Sequence, residues 1–316
     1  MKKRATWVWP FLVGGLLLWG WPGRSEGISE VTVLHPSGPA LIPMAGLVAG
    51  KIPGAVAIRL SLWRTQEEAL GRLGRDPSLY AVLPVTLGVL LGTRSDLVLL
   101  AVHEWRVFSL VVPHTAPFAN WRTLRGKELY VAQGRGTMLD ALTRLLLERE
   151  RLVPDKDLRL IYAPPQEIVA LFQEHRIDAA VLPEPFATLC LADGKGRIAL
   201  DLQDAWQEAT GGRVPVAGLF VHRDHLQRAP EEVAEVCRML AHSTAWSVGS
   251  PRETCEILET SFDVPAAVLL GGWERLLFSW EPVGTCLQDV EKFFSALHRA
   301  FPQEFPELPP QMLPVP

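Results

Sequence analysis

The chain has 316 residues, of which 48% are hydrophobic and 21% are charged, and this composition suits one or two globular domains with a full apolar core. Its formal net charge is −4, which argues against a nucleic-acid-binding surface. We therefore expect no nucleic-acid partner.

The N-terminus has the layout of an export signal. MKKR is followed by the apolar stretch ATWVWPFLVGGLLLWGWPG, which is too short and too interrupted by Gly and Pro for a comfortable transmembrane span. We predict a signal peptide over residues 1–26 and a periplasmic mature protein. The sequence WPGRSEG has no small-x-small cleavage motif, so an uncleaved membrane anchor is the open alternative. No Cys lies nearby to carry a lipid anchor.

The first hundred residues alternate between short apolar strands and helices. We predict strands at 31–35, 55–60, 78–83 and 97–102, and helices at 39–50 and 66–75. Strands that alternate with helices are typical of βαβ units with right-handed crossovers, so we expect a parallel sheet.

The same pattern then restarts. We predict strands at 129–133, 158–162 and 177–182, and helices at 137–152 and 166–175. Two similar βαβαβ blocks indicate two similar α/β domains. Two more apolar strands, 108–113 and 216–222, stand at either end of the second block. If both pass between the domains, the chain leaves the first domain and later returns to it.

The last third of the chain reads as helical. Helices are predicted at 230–248 and 251–262, each with a proline at its first position, and a Trp-rich amphipathic stretch continues to about residue 300. The tail PELPPQMLPVP has no periodicity, so we expect it to be extended or disordered.

The four cysteines show neither a CxxC spacing nor interleaved histidines, so a zinc site is not indicated. Two interpretations remain open for Cys237 and Cys255, which lie on consecutive predicted helices. They form a disulfide in an oxidising compartment, or all four cysteines are buried thiols.

Polar and glycine-rich turns follow several predicted strands. SGP follows the first strand, LPVT ends the third, GRGT follows the strand at 129–133, and LPEP ends the strand at 177–182. Because ligands of open α/β sheets bind outside the carboxyl ends of the strands, these ends are the candidate site. A strand-to-helix turn can also hold an anion through free backbone N–H groups. The predicted ligand contacts are Ser37, Gly38, Thr86, Arg135, Gly136, Thr137 and Glu184.

Three further polar positions admit two interpretations each. Trp105, after the fourth strand, could stack on a planar ligand, and Glu104 beside it could accept a hydrogen bond from that ligand. The alternative interpretation is that these residues make a contact between the domains. The pair His222 and His225 suggests a metal, but a solvated turn explains it better. There is no GxSxG or HExxH motif, so we predict no catalytic residue, no metal and no cofactor.

Three segments resemble a known family. They are NWRTLRGKELYVAQGRGTMLDALTRLLLERERLVPDKDLRLIY, APPQEIVALFQEHRIDAAVLPEPFAT and PEEVAEVCRMLAHSTAWSVGSPRETCEILET. In content and order they resemble the extracytoplasmic substrate-binding proteins of ABC importers, specifically the nitrate/sulfonate/taurine group with its thiamine-precursor relatives. The likeness covers about residues 30 to 300. Arg135 stands where the family often has a small or hydroxyl residue, which favours an anionic ligand if its side chain faces the cleft.

The resemblance implies a type II periplasmic-binding-protein fold, in which two α/β lobes are joined by two hinge strands. It divides the chain into the signal peptide 1–26, lobe 1 at 27–110 and 217–303, lobe 2 at 111–216, and the Pro-rich tail 304–316. It also implies that a small solute binds between the lobes of a monomer, that the lobes close on it, and that the closed form docks on a membrane permease. The alternatives are an enzyme on the same fold, of the menaquinone or pyrimidine pathways, or a stand-alone ligand sensor.

Overall fold

The chain folds into two α/β lobes, each built around one mixed β-sheet. The computed structural model describes residues 29–313, so the predicted signal peptide lies outside the described residues. The strands are β1 Ser29–Pro36, β2 Val56–Trp63, β3 Tyr80–Pro84, β4 Leu97–Arg106, β5 Phe108–Pro113, β6 Glu128–Ala132, β7 Arg159–Ala163, β8 Ala180–Pro183, β9 Gly196–Asp201, β10 Ala217–His222 and β11 Leu277–Pro282. The helices are α1 Ala45–Val48, α2 Gln66–Leu73, α3 Val85–Gly92, α4 Met138–Arg149, α5 Pro165–Gln173, α6 Phe186–Cys190, α7 Leu202–Thr210, α8 Arg223–Arg228, α9 Pro230–Gly249, α10 Pro251–Phe262, α11 Ala266–Gly271 and α12 Val283–Ala300.

The sheet of lobe 1 has the strand order β11-β4-β10-β3-β1-β2. Strand β1 pairs in parallel with β2 and β3, whereas β10 pairs antiparallel with both β3 and β4, and β11 pairs antiparallel with β4. The parallel sheet predicted from the alternating pattern is therefore not found in lobe 1, whose sheet is mixed. Strand β10 runs the other way because it enters lobe 1 from the edge that faces lobe 2.

The sheet of lobe 2 has the order β7-β6-β8-β5-β9. Strands β6, β7 and β8 are parallel, as the second βαβαβ block predicts. Strand β5 pairs antiparallel with β8 and β9 for the same reason as β10 in lobe 1. It starts at the edge between the lobes and runs away from it, whereas β6, β7 and β8 end there.

The chain passes between the lobes outside its strands. The first passage is at Val107, between β4 and β5, because Phe108 already pairs with Pro183 of β8. The predicted boundary between residues 110 and 111 is thus three residues late. The second passage is the segment 211–216, which joins α7 to β10. The strands at 108–113 and 216–222 were expected to span the lobes, but each belongs to one sheet.

Three other expectations need correction in detail. The predicted helix at 39–50 begins as a 3-10 helix, Pro39–Met44, and only then continues as the short α1. The Trp-rich stretch contains strand β11 as well as α12, because its alternating residues pair with β4. The tail has little regular structure, but Phe305 and Met312 are buried in the core, so the described part of it is anchored.

Buried apolar side chains form two clusters. One lies between a face of the lobe 1 sheet and the helices α9 and α10, and its members include Val33, Met44, Leu219, Val236 and Leu258. The other covers the opposite face of that sheet and continues without a break into lobe 2 through Val107, Leu142 and Phe293. The two lobes therefore share one hydrophobic core on the side of α4 and α12.

All four cysteines are unpaired thiols, so the Cys237–Cys255 disulfide does not form in this structure. Cys190, Cys255 and Cys286 are buried, as the second interpretation expects, whereas Cys237 is only half-buried. Of the helices between residues 29 and 313, none has the length and apolarity needed to cross a membrane.

Candidate functional site

The candidate site is the edge at which the two lobes face each other. The carboxyl ends of β1, β2, β3 and β4 reach this edge from lobe 1, and those of β6, β7, β8 and β9 reach it from lobe 2. Contacts between Arg106 and Asp204 and between Glu184 and Arg275 connect the two sides. The strand ends that the sequence singled out therefore do belong to two opposed surfaces.

Glu184 connects lobe 2 to lobe 1. Its side chain is only 2% exposed at the end of β8, and Oε1 accepts a hydrogen bond from Arg275 Nε at 2.6 Å. Oε2 accepts from both the hydroxyl and the backbone N–H of Thr188, at 2.7 and 3.1 Å. An added Cβ at Gly272 would lie 2.7 Å from Oε2, so glycine is required for this approach. The predicted ligand contact at Glu184 is thus occupied by the protein's own residues.

A second ion pair lies beside the first passage between the lobes. Arg106, at the end of β4, contacts both carboxylate oxygens of Asp204 at 3.4 Å and approaches Asp201 at 3.8 Å. Burial raises the pKa of Asp201 to about 6. The Arg106 Nη2 also donates to the backbone oxygen of Glu274 at 2.7 Å, so this guanidinium contacts three different segments at the edge.

Trp105 lies inside β4 rather than after it. Its indole Nε1 donates to the backbone oxygen of Ser279 at 2.9 Å, and the guanidinium of Arg213 lies 4.0 Å from its ring centroid. Arg213 comes from the second passage between the lobes and also pairs with Glu281 and Asp289. These contacts correspond to the packing interpretation of Trp105, because one ring face is already covered by a cation.

The GRGT turn of lobe 2 is built around an internal carboxylate. Gly136 has a φ of +82°, a backbone conformation that favours glycine, and its N–H donates to Asp140 Oδ2 at 2.8 Å. Thr137 caps α4 and donates its hydroxyl to the backbone oxygen of Gly134 at 2.8 Å. The side chain of Arg135 pairs with Glu304 at 3.1 Å. The expectation that Arg135 supplies a free cation to the cleft is therefore not supported by its contacts.

The predicted contacts of lobe 1 lie at two strand ends. In the turn after β1, Ser37 is exposed and Gly38 is half-buried. The backbone N–H of Ser37 donates a hydrogen bond to the backbone oxygen of Trp63 in β2 at 3.1 Å, which fixes this turn against β2. Thr86 is buried in the first turn of α3. The helix begins at Val85, so Thr86 lies inside it and does not cap it. Its hydroxyl is thereby left available for another role.

Buried polar atoms without a hydrogen-bond partner concentrate at this edge. Between residues 29 and 313 ten residues have such atoms, and seven of them lie at the strand ends or helix starts that face the other lobe: His35, Trp63, His103, Glu104, Arg106, Ser109 and Gln203. Unpartnered buried polar groups are rare, because each costs about 1–3 kcal/mol. Their concentration marks this edge as the candidate site.

The two histidines of this set are neutral. Burial lowers the pKa of His35 to about 4 and that of His103 to about 3. Their ring centroids lie 6.4 Å apart, and the His103 ring stacks on Trp280 at 6.2 Å. Each neutral imidazole has one donor nitrogen and one acceptor nitrogen, so the pair offers hydrogen bonds without net charge.

Glu104 is expected to make stability depend on pH. Burial raises the pKa of its carboxyl to about 8, from an ordinary value of 4.5, so the folded protein keeps a proton that the unfolded chain releases. Between about pH 5 and 8 the contribution of this group to the free energy of unfolding therefore falls as pH rises, by up to about 1.4 kcal/mol per pH unit. Urea unfolding of wild type and Glu104→Gln at several pH values measures this difference.

The glutamine variant cannot titrate, so its unfolding free energy should lose this downward trend. Glu274→Gln, at an exposed position nearby, should follow the wild type. Parallel pH profiles for wild type and Glu104→Gln would contradict the assignment.

Sequence reasoning missed Arg275, Arg106 and Asp140, the charged residues that organise the edge. Arg275 follows a Gly-Gly turn in a segment that reads as helical, and its partner lies 91 positions away. Asp140 and Arg144 are four positions apart, a spacing that places opposite charges side by side on a helix. This spacing is the one signal in the sequence that indicates any of these contacts.

Residues 29–313 contain no group of three or more His, Cys, Asp or Glu side chains placed to hold a metal ion. His225, half of the HRDH pair, has its own partners, since its Nε2 lies 3.1 Å from Glu232 and 3.3 Å from the Tyr80 hydroxyl.

Comparison with known proteins adds a family and a fold. The family model described as the NMT1-like family matches residues 82–259. An ABC transporter structure from Parabacteroides distasonis superposes with a TM-score of 0.75 at 22% identity, over 91% of this chain and 99% of that chain. The periplasmic aliphatic sulphonate binding protein SsuA from Escherichia coli gives 0.70 at 17% identity, over 91% and 92%. The periplasmic nitrate-binding protein NrtA from Synechocystis PCC 6803 gives 0.67 at 13%, over 90% and 84%. No protein with a curated description matches.

Proposed function

Since the chain belongs to the NMT1-like family, we propose that it is an extracytoplasmic solute-binding protein, which captures a small solute between its lobes and delivers it to an ABC importer. The fold supports this role, because the similar structures are a periplasmic sulphonate-binding protein, a periplasmic nitrate-binding protein and an ABC transporter. The role involves no bond chemistry. It places the protein in the periplasm, with a membrane permease as its partner.

The observation that carries the proposal is the set of unpartnered buried polar atoms at the interlobe edge. Trp63 Nε1, Gln203 Nε2 and Arg106 Nε are donors only. The carboxyl of Glu104, protonated below about pH 8, also has a proton to donate. These donors suit a solute with acceptor oxygens, and this supports an anionic organic or inorganic solute.

The cations at the edge also support an anionic solute. Arg106 and Arg275 both come from lobe 1, and each already pairs with a carboxylate of lobe 2. An anionic solute between the lobes would meet guanidinium groups on one side. We propose that Ser37, Gly38 and Thr86 contact it from lobe 1, while Gly136 and Thr137 border it from lobe 2.

A binding screen tests the proposal. The mature protein is heated with nitrate, bicarbonate, short alkanesulfonates, aromatic carboxylates and pyrimidines in turn. A solute that binds only the folded state stabilises it by about 2.7 kcal/mol at a hundredfold excess over Kd, which raises Tm by roughly 5 °C. We expect this shift from at least one oxyanion. Shifts from none of these classes would overturn the proposal, and a shift from pyrimidines alone would overturn its anionic part.

A matched pair of variants locates the binding. Thr86→Val removes the uncommitted hydroxyl at the edge, and Thr93→Val removes an exposed hydroxyl at the far end of the same helix. Only the first should weaken the binding of the oxyanion found in the screen. Isothermal titration of both variants distinguishes the cleft from any other binding surface.

A further inference from the structure

The segment Phe301–Leu313, which follows α12, is anchored to lobe 1 at its far end. Met312 is fully buried and fills the space beside Gly92 of α3, where an added Cβ would lie 2.4 Å from its sulfur. Nearer α12, Phe305 is buried and its backbone oxygen lies 2.9 Å from His298 Nδ1. The segment is therefore fixed at both ends although most of it has no regular structure.

Directly before Phe305, between α12 and this anchor, Glu304 reaches lobe 2. Its two carboxylate oxygens accept hydrogen bonds from Arg144 Nη1 and Nη2 at 3.1 and 2.6 Å, and Oε1 also accepts from Arg135 at 3.1 Å. Arg144 is buried, with its guanidinium 4.2 Å from the ring centroid of Phe301. A bidentate pair of this kind fixes the direction of both side chains.

The contact continues from Arg144 to the GRGT turn. Arg144 Nε lies 3.1 Å from both carboxylate oxygens of Asp140, and Asp140 in turn accepts the Gly136 N–H at 2.8 Å. Three successive charge-assisted contacts thus connect Glu304 to the backbone of the turn. Arg135 adds a direct contact from the turn itself to Glu304.

We propose that Glu304 is a positioning residue for solute binding: the C-terminal segment, fixed in lobe 1, holds the Gly134–Thr137 turn of lobe 2 at the interlobe edge. Glu304 does not touch the solute. It acts through Arg144 and Asp140 on the turn that borders the site, so its loss releases the turn without removing any solute contact. The effect on solute affinity rests on the proposed function, whereas the effect on the turn does not.

Hydrogen exchange of the full mature chain, without any solute, tests the effect on the turn. Glu304→Gln keeps the shape of the side chain and removes its charge. Glu307→Gln is the matched control, because Glu307 lies in the same segment but is 82% exposed, with Oε1 3.7 Å from His298 Nε2. We expect amide exchange in residues 133–140 to become roughly tenfold faster in Glu304→Gln and to stay unchanged in Glu307→Gln. Equal exchange in the two variants would overturn the proposal.

A conservative variant separates positioning from general stability. Glu304→Asp keeps the charge on a shorter side chain, so its exchange in residues 133–140 should fall between wild type and Glu304→Gln. If Glu304→Gln does not fold, the comparison of Glu304→Asp with Glu307→Asp decides in the same way. Faster exchange spread evenly over both lobes would instead show a merely structural role and would overturn the proposal.

The affinity test uses methanesulfonate and nitrate as probes in isothermal titration. The proposal predicts a several-fold higher Kd for Glu304→Gln than for Glu307→Gln with whichever probe binds wild type. An unchanged Kd alongside faster exchange would overturn the link to binding. Absence of binding to wild type counts against the proposed function, and the exchange experiment still decides the positioning role.

Discussion

Glu184→Ala is expected to lower the free energy of unfolding by about 3 kcal/mol, because it leaves the Arg275 guanidinium without its carboxylate at the interlobe edge. The Glu184 side chain is 2% exposed and that of Arg275 is 22% exposed, so water replaces little of the lost interaction. Thr188 loses two hydrogen bonds in the same variant. Urea unfolding of wild type and variant measures the change.

The double variant Glu184→Ala/Arg275→Met shows whether the loss comes from this pair. Removal of both charges should recover part of the stability, since a buried charge without a partner costs more than none. Glu274→Ala, beside Arg275 but exposed, should change stability by less than about 0.5 kcal/mol. Additive losses in the double variant would contradict a direct coupling of Glu184 with Arg275.

Asp140→Ala is expected to cost about 4 kcal/mol, the largest effect of any single change described here. Asp140 is fully buried, and it accepts hydrogen bonds from Arg144, from the Gly136 N–H and from the Tyr162 hydroxyl at 2.6 Å. Its removal leaves all three donors short of an acceptor within the core of lobe 2. The measurement is again the urea midpoint and slope of the variant.

Asp140→Asn is the informative control. It keeps the volume and one acceptor oxygen but removes the charge, so we expect a loss of roughly half that size. If Asp140→Ala lowers the free energy of unfolding by no more than about 1 kcal/mol, Asp140 does not organise the turn.

Much of the fold follows from local pattern. The periodicity of 137–152 and 230–248 predicts α4 and α9 within a few residues, and the restart of the βαβαβ pattern predicts the second lobe. The order of the segments indicates the substrate-binding family, and the family match and the superposed structures confirm both this resemblance and the type II periplasmic-binding-protein fold.

What the sequence does not reveal depends on pairing across long separations. Glu184 looks like a free carboxylate at a strand end because nothing local indicates that Arg275 lies opposite it. Arg135 looks like a cation for an anionic solute because its partner Glu304 belongs to a tail without periodicity. Strand β11 was missed because its alternation is short and lies between helices. The ligand contacts at Ser37, Gly38, Thr86, Gly136 and Thr137 stay predictions.

The strand order of lobe 1 also has a consequence for the path of synthesis and folding. Strands β3 and β4 do not pair with each other, because β10 lies between them and pairs with both. Residues 108–210, by contrast, form the sheet of lobe 2 from one continuous piece of chain. During synthesis lobe 2 therefore has all its strands while the sheet of lobe 1 still has a gap at its centre. The N-terminal lobe is the last to be completed, and it must await strands made after its neighbour.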